Sequence, residues 1–492
     1  MKKRIHQIEL FRKYPHDVQS ELFTNLLQTA KNTDWGKKYG YDEISSPEQF
    51  RQRVPISAYE DLYPEIERTM KGEANVLWPG TVTWFAKSSG TTNARSKYIP
   101  VTKEALEDCH YKGGKDMLSI YANLNPDTKL FNGKMLSIGG SLHPNEFNTN
   151  SQVGDVSAVI MQNLPIWAEM ARTPPLKIAL MDKWEEKIEA MAEAAIPENV
   201  TGMSGVPTWT FVLLNRILEI TGKQNIAEVW PNLELFAHGA VAFGPYRQLF
   251  ADIIPLDKMH YLEIYNASEG FFGIQDQAGT HDEMLLMLDY GVYYEFIPAD
   301  QFEAEQPKTI SLGEVELNKN YALVISTNAG LWRYKIGDTI KFTNLEPYRI
   351  KISGRTKHYI NAFGEEVIIE NAEAAIIKAC EHTGAIVANF TAAPVYFEGR
   401  NRGGHEWVIE FKRQPNDLQQ FTFKLDQTLR HINSDYDAKR QNDLALKAPL
   451  VRVAPEGTFY RWLSQKGKLG GQHKVPRLSN SREHLEEILK LL

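Results

Sequence analysis

Cysteine is nearly absent from this chain: Cys109 and Cys380 are the only two in 492 residues. Two thiols allow at most one disulfide and no cysteine-held metal cluster, so free thiols in a reducing compartment are expected. Basic residues are in deficit, with 55 Lys and Arg against 62 Asp and Glu and a formal net charge of -7. That balance argues against nucleic acid as partner, because its binders present a basic face or stripe. Apolar runs long enough to span a membrane are missing. The basic start Met1-Lys2-Lys3-Arg4 runs into polar interruptions, so no signal-peptide core follows it. The expectation is a soluble, cytoplasmic protein that binds neither nucleic acid nor membrane. Two glycine-spaced phosphate loops are also lacking. Lys97 is flanked by Ser96 and Tyr98, where a nucleotide-triphosphatase loop needs Gly before and Ser or Thr after. Gly90 stands alone where a dinucleotide loop needs three spaced glycines.

Hydrophobic content of 42% and charged content of 24% are those of a globular protein, and the length asks for two or more domains. Ile8, Leu10, Phe11, Val18, Leu22, Leu26 and Leu27 recur at helical spacing, with Pro15 starting or interrupting a helix. Thr33–Tyr41 reads as turns, and Ser46 or Ser45 followed by Pro47 as a capped helix start. Further on, helices are expected at 103–123, 182–195, 208–221 and 243–251. Strands are expected at 134–138, 199–204, 233–237, 260–265, 313–327 and 339–343. Strands alternating with helices, with polar turns at strand ends, indicate an α/β fold. Past the Gly354-Arg355-Thr356-Lys357 turn the pattern changes to a small α+β unit. Its helices are expected at 365–381 and 416–434, and its strands at 385–398, 405–412 and 449–454.

The chemistry centres on Ser88-Ser89-Gly90-Thr91-Thr92-Asn93-Ala94-Arg95-Ser96-Lys97. Thr81–Phe85 alternates β-branched and aromatic residues before it, and Tyr98-Ile99-Pro100 is extended after it. A turn with these hydroxyls, one glycine and one ammonium can cradle a phosphate chain. Standing alone, it would equally be a polar hairpin turn. It is followed in order by polar turns at 238–240, 265–270, 333–338, 354–357 and 470–477.

Taken together, these motifs resemble the acyl-adenylate-forming superfamily of firefly luciferase and the acyl-CoA synthetases. More closely, the chain resembles the Gretchen Hagen family, the auxin-responsive acyl-acid amido synthetases. The resemblance rests on Ser-Ser-Gly-Thr-Thr with Lys97 and Pro100, on Tyr265-Asn266-Ala267-Ser268-Glu269-Gly270, and on Trp332-Arg333-Tyr334-Lys335-Ile336-Gly337-Asp338. Val54-Pro55-Ile56, Tyr59-Glu60-Asp61 and Gln472-His473-Lys474-Val475-Pro476-Arg477 extend it over nearly the whole chain. Asn93 and Ala94 stand where plant members usually have glycines, and His473 where Tyr is common. No residue matches the hormone-anchoring positions of the plant enzymes.

The resemblance implies a large N-terminal adenylate-forming domain (1–354), a hinge (355–357) and a small mobile α+β C-terminal domain (358–492). It implies two half-reactions: a carboxylic acid and MgATP give an acyl-adenylate and pyrophosphate, then an amine, expected to be an amino acid, attacks to form an amide. ATP and Mg2+ are the implied cofactors. Ser88, Ser89, Gly90, Thr91, Thr92 and Lys97 would hold the phosphates. Gly239, Ala240, Tyr265, Ser268, Asp338 and Arg355 would hold adenine and ribose, Tyr265 by stacking and Asp338 by accepting from the ribose hydroxyls. Glu269 would take the magnesium, and Lys474 would bridge carboxylate and α-phosphate during adenylation. An acyl-CoA ligase and a nucleotide-binding protein without catalysis are the alternatives. His281-Asp282-Glu283 and His405-Glu406 lack a third partner at metal spacing and read as solvated surface. Ser204, in Gly202-Met203-Ser204-Gly205, lacks the nucleophile-elbow spacing. The helix at 483–492 is expected to pack rather than bind membrane.

Overall fold

The computed structural model describes residues 2–88, 97–240, 243, 247–255, 257–277, 283–302, 304, 306–355, 359–360, 367–395, 403–433, 436–437, 440, 446–467, 475–479 and 481–492. Helices Lys2–Lys13 and Pro15–Ala30 open the chain, with Pro15 in the first turn, where its missing N–H costs no bond. Ile8, Phe11, Leu26 and Leu27 face inward, whereas Leu10 lies on the outer face. The Gln19 side chain donates to Leu288 O and Val292 O and accepts from Tyr294 N, so one buried amide fastens the second helix to the sheet. The stretch expected as turns closes instead into a helix, Asp34–Tyr39. Thr33 caps it by accepting from Gly36 N, and Gly40 ends it at φ 64°. Ser46 caps Pro47–Arg53 through Gln49 N.

Two sheets follow. β1 (Trp84–Ser88) and β2 (Lys97–Val101) pair antiparallel, with Ser88 opposite Lys97, so residues 89–96 join adjacent strand ends. After β3 (Lys134–Ser137), β4 (Leu142–Asn145) and β5 (Asn148–Gly154) complete the four-stranded sheet β2-β1-β5-β4. Then come β6 (Arg172–Thr173), β7 (Val200–Gly205), β8 (Leu235–His238), β9 (His260–Ala267), β10 (Gly270–Ile274) and β11 (Met284–Leu286). β12 (Val292–Pro298), β13 (Asn320–Thr327), β14 (Tyr334–Leu345) and β15 (Tyr348–Arg355) complete an eleven-stranded sheet ordered β12-β13-β14-β15-β11-β10-β9-β8-β7-β3-β6. From β6 to β9 every pairing is parallel, and from β9 to β12 every pairing is antiparallel. β9 is the seam between the halves.

The N-terminal segment is bolted to the antiparallel half. Ser57 N donates to Arg333 O and Lys335 N to Ser57 O, while Trp332 Nε1 donates to Leu77 O. The Arg333 guanidinium is buried. It donates to both Glu295 carboxylate oxygens (2.9 and 3.0 Å), to Val54 O (2.7 Å), to Arg51 O (3.1 Å) and to the Thr309 hydroxyl (2.8 Å). One side chain thus uses the full guanidinium fork to join three separate stretches of chain.

Beyond β15 come β16 (Tyr359–Ile360), β17 (Val367–Ile368), β18 (Ile386–Val395), β19 (Gly404–Arg413) and β20 (Leu450–Ala454). β18-β19-β20 form a sheet with one apolar cluster holding helices Ile369–Thr383 and Leu418–Ile432, and a second holding helices Thr458–Gln465 and Glu483–Leu489. The last helix packs through Leu485 and Ile488, as expected. His405 and Glu406 do not form solvated surface. Both are buried on β19, with Glu406 paired to Arg452 and Arg482. The sequence misled because two adjacent polar residues looked solvated, while both basic partners lie more than 40 residues downstream.

Boundaries shift in places. The strand expected at 81–85 lies at Trp84–Ser88, and the helix expected at 243–251 is Arg247–Ile253. The hairpin β4–β5, strands β10–β12 and helix Thr458–Gln465 had no sequence expectation.

Candidate active site

Parallel strands present their carboxyl ends along one edge, where the loops that leave them can meet a ligand. Here β3, β7, β8 and β9 do so, and the turns after β8 and β9 are those singled out in the sequence. A cleft of about 1730 Å³ runs along this edge and is lined by Gly239, Ala240, Tyr265, Ser268, Glu269 and Asp338. Lys97 is not in its lining. Its ammonium lies 5.7 Å from the Tyr59 ring centroid, and the Tyr59 hydroxyl accepts from Tyr98 N at 2.8 Å. Ser88 and Arg355 are placed by their backbone alone, Ser88 opposite Lys97 and Arg355 opposite Asp338 on β14. Ser89, Gly90, Thr91, Thr92 and Lys474 lie outside the described residues.

Each turn has a local cause. A Cβ on Gly239 would stand 2.4 Å from Ile264 O on neighbouring β9, so the backbone there approaches too closely for any side chain. Ala240 follows at φ 71°, a left-handed conformation that costs an alanine about 1 kcal/mol. Strain of this kind is tolerated where the surrounding fold imposes it, commonly at functional sites. Gly239→Ala is expected to push β8 from β9 and lose about 1–3 kcal/mol; a urea midpoint equal to that of the unaltered protein would contradict this packing.

Tyr265 is buried, its ring edge-on to Phe272 at 4.9 Å, and its hydroxyl donates to the Asp338 carboxylate. That bond joins β9 to β14, four strands away in the sheet order. On the other face of β9, Asn266 Oδ1 lies 3.0 Å from His110 Nδ1. An amide oxygen only accepts, so the imidazole carries its proton on Nδ1 and Nε2 is an acceptor. Burial drives the His110 pKa down to about 4, against a smaller opposing effect of Asn266. The ring is therefore neutral at pH 7. Because its folded pKa lies below the ordinary 6.5, the unfolded chain takes the proton first between those values. Stability is full above roughly pH 6.5 and falls as pH drops towards 4, by on the order of 3 kcal/mol. A flatter acid limb in urea titrations of His110→Gln is the expected signature; an unaltered limb would remove His110 as its source.

His110 and Asn266 had no sequence-based role. His110 ends a π-helical turn, Ala105–His110, that leads into helix Tyr111–Leu124. The extra residue in such a turn rotates the following face, so plain helical periodicity over 103–123 does not point at it. A π-turn is itself a frequent companion of functional sites, but no local sequence signal announces it.

The small C-terminal unit supplies another wall of the cleft through Lys412, Gly457, Tyr460, Val475, Pro476 and Arg477. Trp209 and Tyr460 meet at 6.5 Å across the two units, and Ile386 packs into the apolar cluster of the parallel half. Val475–Arg477 is fixed by Ala392 N donating to Arg477 O (2.8 Å) and by the Arg477 guanidinium over the Phe390 ring (4.7 Å). The residue before this anchored segment is Lys474. Glu269 brings a hard carboxylate donor to the cleft, the ligand type magnesium takes together with phosphate and water.

Strand-end turns around a cleft walled by a small second unit make up a fold shared with solved structures of ligases and amido synthetases. The fold aligns with 2-hydroxyisobutyryl-CoA ligase at TM-score 0.62 and 11% identity, covering 96% of this chain and 90% of that one. It aligns more fully with GH3.15 acyl acid amido synthetase, at TM-score 0.82 and 16% identity over 100% and 96%. Sequence profiles of the GH3 family match its N-terminal domain at residues 4–259, its central domain at 285–355 and its C-terminal domain at 370–483. The chain belongs to the GH3 family, whose matched members are acyl-acid amido synthetases. Indole-3-acetic acid-amido synthetase GH3.3 of Arabidopsis thaliana is 23% identical over 96% of this chain and 91% of its own length. The 4-substituted benzoates-glutamate ligase GH3.12 of the same plant is 22% identical over 95% and 94%. No helix among the described residues is long and apolar enough to cross a membrane.

Proposed function

We propose that this protein activates a small carboxylic acid with ATP as its acyl-adenylate, releases pyrophosphate, and passes the acyl group to the amine of an amino acid. The observation that carries this reading is the meeting of Gly239-Ala240, Tyr265–Glu269 and Asp338 in one cleft at the carboxyl ends of the parallel strands. Asp338, oriented by Tyr265, is suited to accept from ribose hydroxyls. The close approach at Gly239-Ala240 leaves backbone for the adenine, with Tyr265 as the plate beside it and Ser268 and Arg355 at the ribose. Ser88, Ser89, Gly90, Thr91, Thr92 and Lys97, around the β1–β2 connection, take the phosphates. Magnesium, held through Glu269, would supply charge neutralisation at those phosphates.

Lys474 enters from the small unit. An ammonium placed between carboxylate and α-phosphate stabilises charge that is concentrated in the transition state. Residues 1–354 then form the activating domain and 358–492 the lid, with 355–357 as hinge. Turning the lid withdraws Lys474 and admits the amine. The acyl group lies towards His110 and Asn266, where a neutral imidazole and an amide present no charge to an apolar acid. The cytosol supplies ATP and keeps Cys109 and Cys380 as the free thiols they are here.

The test is pyrophosphate release with MgATP across a panel of carboxylic acids, with and without mixed amino acids. Acid-dependent release that rises with an amino acid, with the amide detected by mass, is the expected result. Acceleration by coenzyme A alone would identify a thioester-forming ligase instead. Release with no acid in the panel, while ATP binds, would overturn the catalytic reading.

A further inference from the structure

β2 is an edge strand of the four-stranded sheet, so its outward N–H groups face no neighbouring strand. One of them, Tyr98 N, donates to the Tyr59 hydroxyl at 2.8 Å. The Lys97 ammonium, one residue earlier, lies 5.7 Å from the centroid of the same Tyr59 ring. Tyr59 thus holds the outer strand of the β1–β2 hairpin at two successive residues, by its hydroxyl and by its ring. It is buried, and the Tyr63 ring packs on it at 5.7 Å. Its backbone is fixed in turn. Tyr59 opens helix Tyr59–Met70, where the Asp61 carboxylate accepts from Ala58 N at 2.8 Å. Just before it, Ser57 bridges to Tyr334 on β14: Ser57 N donates to Arg333 O and Lys335 N to Ser57 O, both at 2.9 Å. β14 carries Asp338 farther along. Residues 57–59 therefore run from the strand of Asp338 to the strand of Lys97, although those strands belong to different sheets.

Resting on the adenylation reading, we propose that Tyr59 is a positioning residue for Lys97: it sets where the ammonium stands relative to Asp338, and so where the β- and γ-phosphates of ATP are met. Asp338 takes the ribose, and the triphosphate tail extends away from it towards the hairpin. The strut from Ser57 to Tyr59 fixes the separation of those two ends. A neutral phenol suits the task. A ring face restrains an ammonium without cancelling its charge, and an ammonium with three N–H donors can lie over a ring and still donate to phosphate oxygens. A carboxylate in the same place would compete with the phosphates for the lysine. The strut matters only to a ligand that reaches the hairpin. AMP and an acyl-adenylate carry neither a β- nor a γ-phosphate, so they are indifferent to it.

The test measures MgATP and AMP binding by calorimetry, with no acid present, in the unaltered protein, Tyr59→Phe and Tyr59→Leu. The unaltered protein is expected to bind ATP more tightly than AMP. Losing one hydrogen bond and one cation–π contact corresponds to about tenfold in affinity. Tyr59→Leu is therefore expected to weaken ATP by about tenfold and leave AMP unchanged. Tyr59→Phe keeps the ring and drops the hydroxyl, so its loss for ATP should be smaller, and it serves as the test should the leucine variant not fold. In a Lys97→Met background, either substitution at Tyr59 should change ATP affinity by less than about twofold, because the effect runs through the lysine. ATP affinity unaltered in both Tyr59 variants would overturn the assignment and leave adenylation standing. So would equal losses for ATP and AMP, which would make Tyr59 a residue of the fold alone. An unaltered protein that binds ATP no more tightly than AMP would remove the hairpin as a phosphate site, and Tyr59 with it. Failure to bind either nucleotide would sink the adenylation reading itself.

Discussion

Arg333→Met is expected to destabilise the large domain by about 3–5 kcal/mol, enough to unfold a marginal protein. Arg333 stands in the Trp332–Asp338 motif, and the geometry gives it a structural task. Its guanidinium is buried, it holds both oxygens of buried Glu295, and it takes up Val54 O and Arg51 O at the carboxyl end of the Pro47–Arg53 helix. Removing the cation leaves buried Glu295 with only the longer Arg51 contact (3.4 Å) and the Thr309 hydroxyl, and two backbone carbonyls short of a donor. Its own backbone adds to the constraint, since φ is 43°. Pairing Arg333→Met with Glu295→Leu should recover part of the loss, because the carboxylate goes with the buried cation and only the partly exposed Arg51 loses a partner. Urea midpoints of the two variants make the comparison. A single variant as stable as the unaltered protein would show that the clamp contributes nothing.

Lys474→Ala should lower acid-dependent pyrophosphate release by on the order of 100- to 1000-fold, the usual loss for one preorganised charge at a transition state. The proposal makes a sharper demand than lost activity. Lys474 acts in the first half-reaction only, so amide formation from a supplied acyl-adenylate should be nearly unimpaired in the same variant. ATP affinity should change little, since the nucleotide contacts proposed lie on other elements. Rapid-quench measurement of each half-reaction separates these outcomes. Equal loss in both halves would mean that the substitution damages the small C-terminal unit rather than the chemistry, and undiminished pyrophosphate release would end the assignment.

Part of the candidate cleft was legible because Gly239-Ala240 and Ser268-Glu269 follow or interrupt strands whose apolar periodicity is strong, so punctuation marked them. Asp338, expected in a turn at 333–338, lies instead within strand β14 opposite Arg355. Partnerships were not legible. Nothing local pairs Tyr265 with Asp338 or Asn266 with His110, because the sheet order that joins β9 to β14 is set by tertiary packing. The same limit hid Arg333, whose partners are 24 to 282 residues away. Strands β10–β12 escaped notice because they are buried on both faces, which removes the alternation that a half-exposed strand shows. Helix Asp34–Tyr39 was hidden by its glycines, which ordinarily break helices but here allow a close chain approach and end the helix.

β9 holds Tyr265 and Asn266 side by side, and adjacent strand residues point to opposite faces. A slip of β9 by one residue would exchange those faces. Tyr265 would leave Asp338 in the same movement that takes Asn266 from His110, so neither partnership can be retuned through this strand without disturbing the other. For a laboratory that seeks altered acid preference, the seam strand is the wrong place to mutate. The freer positions are those whose loss leaves its alignment alone, on the helices that face it across the cleft.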